Sequence, residues 1–267
     1  MVKAMRAECY KAFHRSYFHI LTAVCGLCAL LAVLCLYWIK VGAPGPNPVN
    51  LPFALTILPL AMPVGLYMVA VGADLVFSEQ YKHGTLKNEV SYGVPRAVSY
   101  LSRWAVAAVM LAVVLFVMLA VYLLAGAVLL GLPTEQEALT MYGTGTGAAV
   151  LGTLRAVAFY LLASLPLWLG ALSLVMLCFF LINSSNAAAI GFFCVMFGLP
   201  MILDKLGQYV NPLFTGLYRL TLNYAMSLIS TQGVTWPLLG RCWLTGLAWT
   251  AVLTALGLLS FSRREIK

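Results

Sequence analysis

Long uncharged apolar intervals alternate with short polar clusters along this chain of 267 residues. The uncharged intervals cover 16–39, 41–73, 104–134, 156–203 and 242–262. A helix needs about 20 apolar residues to cross a bilayer, so each interval is long enough for at least one crossing. The fourth is too long for one. It holds Asn183, Ser184, Ser185 and Asn186, a polar cluster that is costly in hydrocarbon and natural in a turn. Six spanning helices are therefore expected, at about 17–38, 53–77, 104–131, 157–182, 187–203 and 240–261. The runs do not alternate, and a spanning segment must satisfy its own backbone, so helices are expected rather than barrel strands.

The segments between the intervals have their own patterns. Near the start, Val2, Met5, Cys9, Tyr10, Phe13 and Tyr17 fall on one helical arc, with Lys3, Glu8, Lys11, His14 and Arg15 opposite. That predicts an amphipathic elbow helix over 1–16, lying along the membrane surface ahead of the first span. The Gly143–Gly147 run has no strand before it and no lysine after it, so it reads as a flexible loop rather than a phosphate cradle. Region 204–239 is too long for a turn, and its stretch 212–229 is too apolar for a free loop. With Arg219 in the middle, a re-entrant or interfacial helix is expected there rather than a seventh span.

Composition agrees with this layout. The chain is 63% hydrophobic and 9% charged, far below the roughly 25% charge of soluble domains. With the N-terminus in the cytoplasm, the inner side holds Lys3, Arg6, Lys11, Arg15, Lys82, Lys87, Arg96, Arg103, Arg263, Arg264 and Lys267. The outer side holds Lys40, Arg155, Lys205, Arg219 and Arg241. The asymmetry predicts that both termini are cytoplasmic. The net charge of +8 then reflects topology and attraction to anionic lipid, not nucleic-acid binding. The first span is too long for a signal peptide and is expected to remain as an anchor. The cysteines lie almost entirely within spans and read as packing residues. Asp74, about one turn from the inner end of the second span, reads as a loop brace. The spans carry no His/Glu pair at metal spacing and no Ser/Lys or paired-Asp arrangement, so an embedded enzyme is not expected.

The segment 78–103 interrupts the apolar pattern most sharply. Gly84-Thr85 gives a turn and a hydroxyl N-cap, 86–92 makes about two helical turns, Gly93 closes them, and Pro95 opens the next helix. The simplest reading is a basic inner loop that anchors topology. The run Glu79-x-x-Lys82-x-Gly84-Thr85-Leu86-Lys87-Asn88-x-x-Ser91-x-Gly93-x-Pro95-Arg96 also resembles the first cytoplasmic loop of ABC-2-type permeases, the membrane subunits of one class of ATP-binding cassette exporters. The elbow helix, six spans and long outer region before the last span are similar too. In size and separate-subunit layout the chain resembles permeases of bacterial bacitracin- and lantibiotic-resistance systems.

The resemblance implies that the loop is a coupling helix, with Glu79, Lys82, Thr85, Leu86, Lys87, Asn88, Ser91 and Arg96 facing a nucleotide-binding subunit. No Gly-x-x-x-x-Gly-Lys-Ser/Thr motif is present, so ATP and Mg²⁺ would be held by that partner, and the chain would be a transport subunit rather than an enzyme. It also implies a second permease subunit, identical or homologous, in a bacterial plasma membrane. The pathway between the two would be lined by Leu60, Met62, Pro63, Tyr67 and Met68 of the second span and by Phe192, Phe193, Met196 and Phe197 of the fifth. Such a Met/Phe wall suits hydrophobic or amphipathic cargo, including antimicrobial peptides, though stripes of this kind also face lipid or neighbouring helices. An ion-coupled secondary transporter, or a non-transporting peptide-immunity or sensor protein, are the alternatives.

Overall fold

The structure, a computed structural model, describes residues 2–42, 49–83, 95–182 and 184–263, with side chains over 5–42, 49–76, 95–182 and 184–261. Every element among the described residues is a helix. In chain order these are α1 (Val2–Phe13), α2 (Ser16–Gly42), α3 (Leu51–His83), α4 (Arg96–Leu130) and α5 (Glu135–Tyr142). After them come α6 (Thr146–Leu181), α7 (Ser185–Tyr209), α8 (Pro212–Tyr218), α9 (Leu222–Gln232) and α10 (Trp236–Arg263). Six of them, α2, α3, α4, α6, α7 and α10, are long and apolar enough to cross a membrane. The break between α6 and α7 falls within the expected polar cluster, where Ser184 stands at the N-cap of α7.

Several helix ends differ from the charge-free intervals. Arg103 and Arg155 lie inside α4 and α6, and α7 runs on past Asp204 and Lys205. Arg155 is exposed, so its head can reach polar surroundings while its stem stays apolar. Arg103 is buried, with its guanidinium donating to Ser99. A charge therefore does not have to end a helix. Region 212–229 is two helices rather than one. The chain turns at 219–221, and Thr221 restarts the helix by accepting a hydrogen bond from the Tyr224 backbone N–H at 3.3 Å.

The helices fall into two compact units. One comprises Ser16–Ala61 and Ala112–Leu161. Its core joins Ala29 and Val33 of α2 to Ala54 of α3 and to Tyr122 and Leu130 of α4. The Tyr122 hydroxyl donates to the Ala54 carbonyl at 2.7 Å. Lys40 donates to the Leu130 carbonyl, placing a cation where α4 leaves carbonyls unpaired. Thr134 and Glu137 close a capping box at the start of α5, and Tyr142 donates to Asn50 Oδ1 at 3.1 Å. Asn50 in turn accepts from the Phe53 N–H at 3.0 Å, which ties α5 to the first turn of α3.

The other unit comprises Met1–Arg15, Met62–Leu111 and Leu162–Lys267. The second half of α6 is its core, with Ala163, Leu167, Ala171, Ser173 and Phe179 all at 0% exposure. A proline shapes this helix. Pro166 has no N–H, so the Leu162 carbonyl one turn earlier loses its helical donor, and the Trp243 indole of α10 donates to that carbonyl at 3.1 Å. Beside this contact, a side chain on Gly246 would lie 2.3 Å from the Pro166 carbonyl. Facing it, a Cβ on Gly170 would lie 3.3 Å from the Gly246 carbonyl. Small residues let helix backbones approach closely where lipid gives no hydrophobic drive to associate.

Candidate functional site

The site is built from the part of α3 that follows Ala61, from α7 and from the α8–α9 hairpin, all within the second unit. In α7, residues Cys194–Gly198 form a π-helical stretch just before Pro200. Pro200 cannot donate to the Met196 carbonyl, and the widened turn accommodates the loss. Asn223, in the first turn of α9, supplies the missing donor: its Nδ2 lies 2.5 Å from the Met196 carbonyl. The same amide nitrogen lies 3.3 Å from the Tyr67 hydroxyl of α3. One side chain therefore holds the hairpin against two long helices. The hairpin's other limb is as close, since a Cβ on Gly207 of α7 would meet Thr215 of α8 at 2.4 Å.

Between these elements lies a cleft of about 350 Å³. Its apolar lining comes from Pro63, Leu66, Met201 and Met226, and its polar lining includes Asp204, Tyr218, Ser227 and Ser230. Asp204 is the one charged residue among those lining it. Its carboxylate accepts from Gln208 at 2.9 Å, which leaves most of its acceptor sites unused. Ser227 and Ser230 donate their hydroxyl protons within α9, to the Tyr224 and Ser227 carbonyls at 2.8 and 3.0 Å. What these serines can offer a guest is oxygen lone pairs. Burial pushes the Tyr218 phenol above its usual value near 10, and the negative charge of Asp204 and then the neighbouring Tyr224 add to the shift.

The expected pathway residues separate in the structure. Pro63 and Tyr67 line the cleft. Tyr67 stacks on Phe197 at 4.4 Å and lies 6.1 Å from Phe193, and both phenylalanines are exposed. Met62, Phe192 and Met196 are buried, and Trp168 donates to the Met62 carbonyl at 3.3 Å. Met68 is half-buried, and Leu60 is an exposed residue of the other unit. Of the expected coupling residues, Glu79 and Lys82 lie in the last turns of α3. Arg96 opens α4 and donates to the Phe261 carbonyl of α10 at 3.2 Å. Thr85, Leu86, Lys87, Asn88 and Ser91 lie outside the described residues. Asp74 accepts a hydrogen bond from Ser185 at the start of α7. Next to it, the Leu75 carbonyl accepts from Arg15.

Reading the sequence did not pick out Asp204, Tyr218, Asn223, Ser227 and Ser230 as a group. Part of the signal was present: Asn223, Ser227 and Ser230 recur at i, i+4 and i+7, one polar stripe along a short helix. Leu222, Ala225, Met226 and Ile229 are its buried residues. Among the described residues no three His, Cys, Asp or Glu side chains gather as a metal site would require. No protein-family model matches the chain, and no curated protein matches it either.

Proposed function

We propose that this chain is the membrane subunit of an ATP-binding cassette exporter of the ABC-2 type, moving a hydrophobic or amphipathic compound while a separate subunit hydrolyses ATP. The observation that carries the reading is the continuity of α3. It runs unbroken from Leu51 to His83, with Tyr67 at the cleft and Glu79 and Lys82 in the last turns before residues 84–94. A helix rises 1.5 Å per residue, so Tyr67 and Lys82 are about 22 Å apart along one rod. Towards the C-terminal end of α3, the bonds from Arg15 to the Leu75 carbonyl and from Ser185 to Asp74 join that rod to the α1–α2 link and to α7. A subunit gripping residues 84–94 would thereby move the helix that walls the cleft and pull on α7, which forms another wall.

In this reading both termini are cytoplasmic, α1 is the elbow helix on the inner surface, and α8–α9 is an outer re-entrant hairpin. Two such subunits form the full pathway, and ATP with Mg²⁺ binds on the partner. The test is to co-express the chain with a candidate nucleotide-binding subunit, purify the complex, and reconstitute it in vesicles. Changing Glu79 to Lys, or Leu86 and Lys87 together to Asp, is expected to reduce association and transport-linked ATP hydrolysis at least tenfold. Full association and coupled hydrolysis in those variants would refute the coupling role. Transport that survives nucleotide depletion and collapses with the proton gradient would replace it with an ion-coupled carrier.

A further inference from the structure

The lining of the cleft determines what kind of guest it can hold. Its polar atoms are weighted towards acceptors: a half-buried carboxylate on Asp204 and two serine oxygens whose protons are already engaged in α9. Asn223 has its amide nitrogen engaged by the Met196 carbonyl and Tyr67. An anion would find no cation in the lining to receive it. Nearby cations do not fill the role themselves. Lys205 and Arg219 are exposed and do not line the cleft. The Arg241 guanidinium sits over the Tyr224 ring at 5.4 Å and reaches the Arg219 carbonyl at 3.4 Å.

An ammonium group is the complement of this lining, with three donors, no acceptor and one positive charge. The remaining walls, Pro63, Leu66, Met201 and Met226, are apolar and include two adaptable methionines. At about 350 Å³ the cleft lies at the small end of ligand sites. It has room for a lipid headgroup, a small drug or one side chain of a peptide, but not for a whole peptide. We infer that the cleft binds a protonated primary amine carried on an apolar body, with the ammonium at Asp204, Ser227 and Ser230 and the body against the Pro63–Leu66 and Met201–Met226 walls. The amine can come from an aminophospholipid headgroup or from a free amphipathic amine. The inference goes beyond the exporter reading and does not depend on it, because binding requires only the purified chain.

The experiment uses the full chain in nanodiscs of phosphatidylcholine, titrated calorimetrically with octylamine, with the heat of empty nanodiscs subtracted. Saturable binding of about one octylamine per chain is expected. Asp204→Asn should weaken it at least tenfold. Octanol, which keeps the tail and loses the charge, should bind no better to the parent chain than to that variant. If Asp204→Asn perturbs folding, Ser230→Leu fills the cleft without removing a charge and should give a comparable loss. Adding phosphatidylethanolamine to the nanodisc identifies the source. A several-fold weaker apparent octylamine affinity in the parent chain assigns the cleft to the headgroup, and an unchanged affinity assigns it to free amines. Absence of saturable binding, equal binding of octanol and octylamine, or octylamine affinity unaffected by both substitutions would overturn the inference. Failure to associate with any ATPase would sink the exporter reading and leave this binding curve untouched.

Discussion

Replacing Trp243 by Phe tests how the α6–α10 crossing is held. The substitution keeps an aromatic ring but removes the indole N–H that meets the Leu162 carbonyl at 3.1 Å. Hydrogen bonds between helices in membranes average about 0.6 kcal/mol and reach about 1.7. This carbonyl has lost its usual donor to Pro166, so a cost of about 1 kcal/mol is expected. The control lies in the same contact. Pro166→Ala returns an N–H to position 166, which can bond the Leu162 carbonyl within α6. In that background Trp243→Phe should cost almost nothing, a coupling of about 1 kcal/mol against the 0.3–0.5 scatter of independent sites. The four proteins of the cycle can be unfolded reversibly by sodium dodecyl sulfate in mixed micelles. Circular dichroism is the suitable signal, because the mutation itself alters tryptophan fluorescence. Equal costs of Trp243→Phe in both backgrounds would refute the capping role and leave only the packing of the ring.

Asn223→Leu removes the donor shared by the Met196 carbonyl and Tyr67. About 1 kcal/mol of local stability should go with it, read as roughly fivefold faster amide exchange across α8–α9 with α2 unchanged. Gly246→Ala drives a methyl to 2.3 Å from the Pro166 carbonyl. A backbone atom cannot rotate away, so a loss of about 1–3 kcal/mol is expected in the same micelle assay. Arg103→Ala empties the site of a wholly buried side chain that donates to Ser99 and should cost about 2–4 kcal/mol; Arg103→Lys, which keeps charge and stem, should recover part of that loss. Tyr218 ionises above 10 in the folded protein and near 10 when unfolded. The unfolded chain releases this proton first, so stability present below pH 10 falls as pH rises past it. Tyr218→Phe should flatten that part of the alkaline unfolding curve.

The six long helices were legible because hydrocarbon excludes charge over a length that sequence displays directly. The break between Leu181 and Ser185 was legible for the same reason, from the polar cluster that surrounds it. Charge was a poorer guide to where helices stop. Arg155 lies over the Phe159 ring at 5.9 Å inside α6, and α7 carries Asp204 and Lys205 in its final turns. Helix ends there depend on caps and on prolines, and a charge at the rim of an apolar layer costs little. The cleft was the least legible part. The resemblance implies Pro63 and Tyr67 as pathway residues of the second span, yet the site depends on Pro200 leaving a carbonyl that Asn223 meets. A hydrogen bond between a proline-freed carbonyl and a side chain from another helix leaves no periodicity for a reader to find.

The Leu162 carbonyl also bears on the order in which the protein is made. A ribosome delivers α6 to the membrane well before α10, so Pro166 enters hydrocarbon while its neighbour's acceptor still lacks the Trp243 indole. Until the last helix arrives, that acceptor must draw on water or on a transient donor, and Gly246 is not yet there to seat the crossing. This helix, α6, can therefore insert on schedule but can settle only at the end of synthesis. A chain interrupted before Trp236 would carry an exposed polar defect in its most buried helix, a mark by which the cell could tell unfinished copies from finished ones.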